Sequence, residues 1–381
     1  MCRAFSQPPQ PLTPEERNSA IESIDRREFM SFCAKIAATI GLAPSFIPQV
    51  AEAVEGAARK PSVIWLHFQE CTADSEAFLS LSYPSVEELV LNILSVDYHE
   101  TIMAANGFQA EEALKKAMAD NKGKYLVVCE GAIPTGTPPG PGGAKGAYCA
   151  IGGKTALDLA TEVIKDSAAV VCVGTCASYG GVQAQRPNPT GAKSVGDALG
   201  IPTINIPGCP HNPVNLVGTI VNYLLLGSLP KTDRYGRPLF AYGKRVHDHC
   251  LRRAHFDAGQ FVEKFGDDGA KQRWCLYKVG CKGPQTYNNC PTVEYNDSTS
   301  WPVKAGHGCV GCSEPDFWDT MQPFYERLPN IKVPGVEASA DKVGLTLVGA
   351  ALAGAGAHAV YTFANRGKFD ETQKKEEGGH E

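Results

Sequence analysis

Fourteen cysteines stand in a chain of 381 residues, and most sit where ligands rather than packing thiols belong. Cys71 follows the apolar run "PSVIWLHF", Cys176 ends "AAVVCVGTC" and Cys209 ends "TINIPGC". Three positions after Cys71, Asp74 stands where a metal-binding loop would normally carry a second Cys. A disulfide reading leaves an odd thiol in this set, whereas a four-ligand metal site uses all three Cys and Asp74. Farther along, ligand types crowd together: His247 and Cys250 in "VHDHC", Cys275 and Cys281 in "WCLYKVGC", Cys290 in "NNCP", and Cys309 and Cys312 in "GHGCVGC". Structural zinc takes four such donors at a time, and seven are on offer. A four-ligand cluster through His247, Cys250, Cys275 and Cys281 plus a three-iron cluster through Cys290, Cys309 and Cys312 uses all seven. Soft thiolate sets of this kind suit zinc and iron–sulfur centres alike, and the spacing favours iron–sulfur.

The donors need elements to hold them. Between residues 60 and 226, strand-like runs ("SVIWLHF", a weaker "DYHETIM", "KYLVVCEG", "AAVVCVGTC", "TINIPGC") alternate with helix-like stretches such as "SVEELVLNILS", "EEALKKAMAD", "KTALDLATEVIKD" and "NPVNLVGTIVNYLLLG". That alternation predicts an α/β domain of flavodoxin-like type, a doubly wound parallel sheet with helices on both faces. Cys71 follows the first strand, Glu130 the third, Cys176 the fourth and Cys209 the fifth. In such sheets the carboxyl edge gathers loops from neighbouring strands, so Cys71, Asp74, Cys176 and Cys209 are expected to meet there. After about residue 235 the periodicity fails, and a segment so poor in apolar pattern needs metal centres as staples.

The ends carry their own signals. "SIDRREFMSFCAKIAATIGLAPSFIPQV" pairs Arg26 and Arg27 with a weakly apolar run, the layout of a twin-arginine leader, with cleavage near Ala53 or Ala58. "VGLTLVGAALAGAGAHAVYTF" (343–363) is long enough to span a bilayer. Lys342 precedes it and Arg366, Lys368, Lys374 and Lys375 follow, which puts the tail inside and the body outside. The expected divisions are a leader (1–58), the flavodoxin-like domain (59–235), an irregular cluster-binding domain (236–335) and a membrane anchor with a cytoplasmic tail (336–381). A net charge of -5 argues against nucleic acid as a partner. Cys2 and Cys33 fall in the leader, and Cys129, Cys149 and Cys172 read as small hydrophobes in apolar runs. His211 and His307 read as hydrogen-bonding neighbours of the donors, and Glu70 and Glu76 as structural. A competing role for Asp74 is to cap the helix that follows it.

The stretches "WLHFQECTADSE", "GTCASYGG", "PGCPHNP", "CLYKVGCKGPQTYNNCP" and "WPVKAGHGCVGCSEP" together resemble the small, electron-transferring subunit of membrane-bound nickel–iron uptake hydrogenases, over about residues 61–350. The resemblance implies three clusters in a line. A proximal 4Fe–4S centre would use Cys71, Cys176 and Cys209 with Asp74 at its fourth position. A medial 3Fe–4S centre would use Cys290, Cys309 and Cys312, with Pro302 where four-iron relatives carry a Cys. A distal 4Fe–4S centre would use His247, Cys250, Cys275 and Cys281. It also implies a large subunit that holds the nickel–iron site, no catalytic residue on this chain, a cytochrome b or other quinone-linked membrane acceptor, and a periplasmic location. In the common family pattern position 74 is Cys, and oxygen-tolerant members add two Cys whose places here are Ala73 and Gly181. Two rival readings remain: an exported zinc- or disulfide-stapled binding protein, and another flavodoxin-like respiratory iron–sulfur subunit, which would lack the Cys-rich second half.

Overall fold

The structure, a computed structural model, describes residues 26–55, 61–81, 94–140, 143–328, 331–333, 336–338 and 340–377. Most of the helix expected at "SVEELVLNILS" and the thiol of Cys2 lie outside them. Five parallel strands form the central sheet: β1 (Ser62–His67), β2 (Ser95–His99), β3 (Leu126–Glu130), β4 (Ala169–Val173) and β5 (Ile204–Ile206), in the order β2-β1-β3-β4-β5. All six residues of β1 are buried, as expected where helices cover both faces of a parallel sheet.

Successive side chains point to opposite faces, so the sheet divides its apolar residues between two cores. Val63, Trp65, Val128, Val171 and Ile206 enter one layer. Ile64, Leu66, Val127, Cys129 and Cys172 enter the other, where the last two pack as small hydrophobes, as expected.

The helices that matter for the site are α1 (Arg26–Thr39), α2 (Ile47–Glu55), α3 (Ala73–Leu79), α4 (Gly107–Asp120), α5 (Ala156–Ile164), α6 (Gly174–Tyr179) and α7 (Pro213–Leu226). Asn212 caps α7 by accepting from the Val214 N–H at 3.0 Å, Pro213 fits its first turn, and left-handed Gly227 ends it. The two helices of the expected leader pack into the first core: Cys33, Ile36 and Val50 are buried in one cluster with Leu216, Val217, Ile220 and Val221 of α7.

Beyond α7 the chain uses short turns of helix around a small core of Val246, Val262, Leu276, Trp301 and Val303. Side-chain bonds tie this part to the sheet. Asn215 and Asn289 exchange amide hydrogen bonds at 3.0 and 2.8 Å, Arg237 pairs with Glu314 at 3.0 Å, and the Tyr242 hydroxyl donates to the Pro207 carbonyl at 2.8 Å. Residues up to Glu326 make one compact unit and 327–381 a second. The second holds a hairpin (Ile331–Val333 with Val336–Ala338) and the helix Ala340–Glu377. Its stretch Gly344–Arg366, 23 residues with mean hydropathy 1.4, is long and apolar enough to cross a membrane.

Candidate metal centres

The carboxyl edge of the sheet assembles the first donor set. Cys71 leaves β1 and precedes α3, Cys176 lies in α6 directly after β4, and Cys209 follows β5. Cys71, Cys209 and Asp74 act electrostatically on Cys176, and burial pushes the Cys176 thiol up to about 12. Cys209 keeps an exposed face, yet partial desolvation of its sulfur, and then Asp74 and Cys71, raise it to about 11.

Two glycines keep space open among these donors. A Cβ on Gly181 would fall 2.4 Å from the Cys176 sulfur, and one on Gly174 would fall 1.9 Å from Asp74 Oδ2. Asp74 is buried in the first turn of α3, yet its carboxylate does not cap that helix. Its Oδ1 accepts from the backbone N–H of His211 at 2.7 Å and lies 2.8 Å from His211 Nδ1. The hydrogen-bonded form of the capping reading is absent, while Asp74 does stand as an acid in the first turn of α3.

The helix start is held instead by Glu130, at the end of β3. Its Oε1 accepts from the backbone N–H groups of Asp74 and Ser75 at 3.1 and 3.3 Å. Its Oε2 accepts from the Ser75 hydroxyl at 2.6 Å and from Trp65 Nε1 at 3.2 Å. Burial raises this acid, but hydrogen bonds from His67 and Ser75 outweigh burial and hold it near 2. His67 and His99 complete the network, each within reach of the Ser75 hydroxyl, at 3.0 and 3.4 Å. The sequence marked Glu130 only as a strand end. The partners that give it a role come from β1, α3 and β2, which pattern alone cannot bring together.

The second set lies where the sheet meets the irregular part. Cys290, Cys309 and Cys312 act on one another through space, and burial raises Cys290 and Cys312 to about 12. Cys312 also feels Cys209, and its carbonyl accepts from the Thr175 hydroxyl, whose residue neighbours Cys176. Pro302 is exposed between buried Trp301 and Val303. His307, expected to be a hydrogen-bonding neighbour, lies 2.8 Å from the Gly308 carbonyl through Nδ1.

All four donors of the third set, His247, Cys250, Cys275 and Cys281, line one recess. The backbone N–H of Cys309 donates to the Cys281 sulfur at 3.3 Å, joining the second set to the third. Two buried cations face these thiols. Arg252 lies among Cys250, Cys275 and Cys281, its guanidinium donating to the carbonyls of Trp274 at 2.7 Å and Val303 at 3.1 Å. Lys282 faces Cys281 and Cys309, and donates to the carbonyls of Gly280, Pro323 and Glu326. Neither cation was singled out in the sequence, where an Arg or Lys carries no mark of burial.

Among the described residues no three His, Cys, Asp or Glu close on a single-ion position.

Comparison with known proteins accords with this geometry. Residues 242–325 match the family model for the C-terminal part of the NiFe/NiFeSe hydrogenase small subunit, and residues 71–223 match that of the NADH ubiquinone oxidoreductase 20 Kd subunit. The chain is 46% identical to the quinone-reactive Ni/Fe-hydrogenase small chain of Wolinella succinogenes, over 91% of this chain and 98% of that one. It is 49% identical to periplasmic [NiFe] hydrogenase small subunit 1 of Nitratidesulfovibrio vulgaris, over 82% of this chain and 96% of that one. Among solved structures, the reduced, active NiFeSe hydrogenase of Desulfomicrobium baculatum superposes with a TM-score of 0.65 at 34% identity, covering 71% of this chain and all of that one.

Proposed function

This chain belongs to the nickel–iron hydrogenase small subunits, and on that premise we propose how its residues carry electrons from hydrogen oxidation on the large subunit toward a quinone-linked membrane protein. Cys71, Asp74, Cys176 and Cys209 hold a proximal 4Fe–4S cluster; Cys290, Cys309 and Cys312 a medial 3Fe–4S cluster; His247, Cys250, Cys275 and Cys281 a distal 4Fe–4S cluster. When bound, such clusters supply one-electron carriers whose potentials follow ligand type, hydrogen bonding and burial. The strand order, with its reversal between β1 and β3, is that of flavodoxin-like sheets and supports the edge as the proximal site.

One observation carries the reading: the three donor sets adjoin in series. Cys209 neighbours Cys312, and Cys309 donates to Cys281, so each handover crosses a short gap between ligands of successive clusters. The protein's part is positional. Glu130 holds the start of α3, Thr175 joins the proximal loop to the medial one, and Arg252 and Lys282 place buried positive charge beside the distal and medial thiolates. Cys71 and Cys209 are exposed, so the proximal end faces outward, where a large subunit would cover it. The shared 20 Kd-type match over 71–223 is compatible with a complex I-like protein, but the hydrogenase-type match over 242–325 separates the two.

In the same reading the chain is exported by the twin-arginine route and the helix Gly344–Arg366 anchors the complex at the periplasmic face of the membrane. Iron and sulfide analysis with redox-titrated electron paramagnetic resonance of the purified complex tests the assignment. About eleven irons per chain with a three-iron signal are expected from the cluster types; a colourless, zinc-containing preparation would refute it.

A further inference from the structure

The carboxylate in the proximal set raises a geometric question. A thiolate offers one ligating atom, while a carboxylate offers two and can swing between them. Orientation must come from groups behind the ligand, as outer-shell partners orient metal-bound side chains elsewhere.

Both hydrogen bonds to the Asp74 carboxylate among the described residues come from one residue and fall on one oxygen. The His211 backbone N–H donates to Oδ1 at 2.7 Å, and Nδ1 lies 2.8 Å from the same atom. Oδ2 accepts no such bond, and it points at the bare face of Gly174, whose φ of +76° disfavours any larger residue. The imidazole has no exposed surface, and Nε2 has no partner. The imidazole thus gives up hydrogen bonding at Nε2, and its one side-chain polar contact is that of Nδ1 with Asp74. Its backbone is fixed as well, because His211 follows Cys209 by two residues in the loop after β5.

We propose that His211 is the positioning residue that makes Asp74 a one-oxygen ligand of the proximal cluster, holding Oδ1 in a double hydrogen bond and leaving Oδ2 for iron. The inference rests on the reading of Asp74 as the fourth proximal donor. Nδ1 carries the donated hydrogen, and the neutral tautomer suffices. Without this clamp the carboxylate is free to rotate, and the fourth iron loses a fixed ligand.

The test uses the purified complex of large and small subunits and reads the proximal cluster by Mössbauer spectroscopy and redox-titrated paramagnetic resonance, with the medial and distal signals as internal references. Four variants suffice: His211→Asn, whose amide nitrogen can replace Nδ1; His211→Gln, whose amide reaches toward the Nε2 position; Asp74→Cys; and Asp74→Cys combined with His211→Gln. His211→Asn is expected to keep the native proximal signal, and His211→Gln to displace it while the other two clusters stay unchanged. In the Asp74→Cys background, His211→Gln is expected to have no further effect, because a thiolate has no second oxygen to restrain. A native proximal signal in His211→Gln, or an equal displacement with and without Asp74, would overturn the inference. Asp74→Cys reports on the underlying reading separately. A proximal signal unchanged by that substitution removes Asp74 as a ligand and the inference with it, whereas a change there with none in His211→Gln removes the inference alone.

Discussion

Gly181 shows how little room the proximal donors leave. Its φ is +59°, a region that costs other residues about 1–2 kcal/mol, and an added methyl would lie 2.4 Å from the Cys176 sulfur. Gly181→Ala should therefore shift Cys176 and displace the proximal paramagnetic signal, with the iron content and the three-iron signal retained; iron analysis beside paramagnetic resonance checks both halves. His99 gives a pH dependence. Burial, then the neighbouring His67, lowers its pKa from 6.5 to about 4, against the opposing pull of Glu130. The unfolded chain thus binds a proton that the folded chain refuses between those values, so stability falls as pH drops from about 6.5 to about 4. The loss amounts to roughly 2–3 kcal/mol at the acid end. His99→Gln should flatten that part of the curve, read as the difference in Tm between the two proteins across the window. An identical slope would show that His99 does not titrate there. At this scale the ligand types were legible because few side chains bind iron. The support behind them was not: Glu130, Ser75, His67 and His99 belong to four separate segments, and only the folded sheet brings them into one network.

Among elements, the parallel strands announced themselves because strands buried on both faces must be nearly continuous runs of Val, Ile and Leu. The edge strand β2 read more weakly, and it is the one whose pairing with β1 shifts register. The N-terminal helices show where pattern stops. A weakly apolar run beside Arg26 and Arg27 reads the same whether it will be cut away or folded in, yet α1 and α2 here cover α7, with Cys33, Ile36 and Val50 buried. Burial of each large apolar side chain contributes about 1.5–3 kcal/mol, so this cover is a substantial part of the first core in the full chain. A chain beginning at Arg59 should bind an apolar fluorescent dye more strongly than the full chain and melt at a lower temperature. Equal dye binding by the two forms would mean that α1 and α2 shield nothing.

For the whole molecule the relevant contrast is between a unit that holds every proposed cluster ligand and a unit that holds the long apolar helix. The C-terminal helix exposes Leu345, Leu347, Val348, Leu352, Val360 and Phe363 along a span of 23 residues, and none of that span is buried within the structure. That length and composition are what a membrane span needs, and in the proposed anchoring Arg366, Lys368, Lys374 and Lys375 after it would lie at the inner face. Lys at the centre of a membrane helix costs roughly 2.5–3.5 kcal/mol, so Leu352→Lys together with Leu347→Lys should move the complex from the carbonate-resistant membrane fraction to the soluble one. Ending the chain at Ser339 should do the same. Because every proposed cluster ligand precedes Glu326, the end of the first unit, the truncated complex should still reduce a soluble dye with hydrogen at near the native rate while its reduction of membrane quinone falls at least tenfold. If dye reduction were lost as well, the helix would be part of the relay's own structure; if quinone reduction survived, the acceptor would dock elsewhere on the complex.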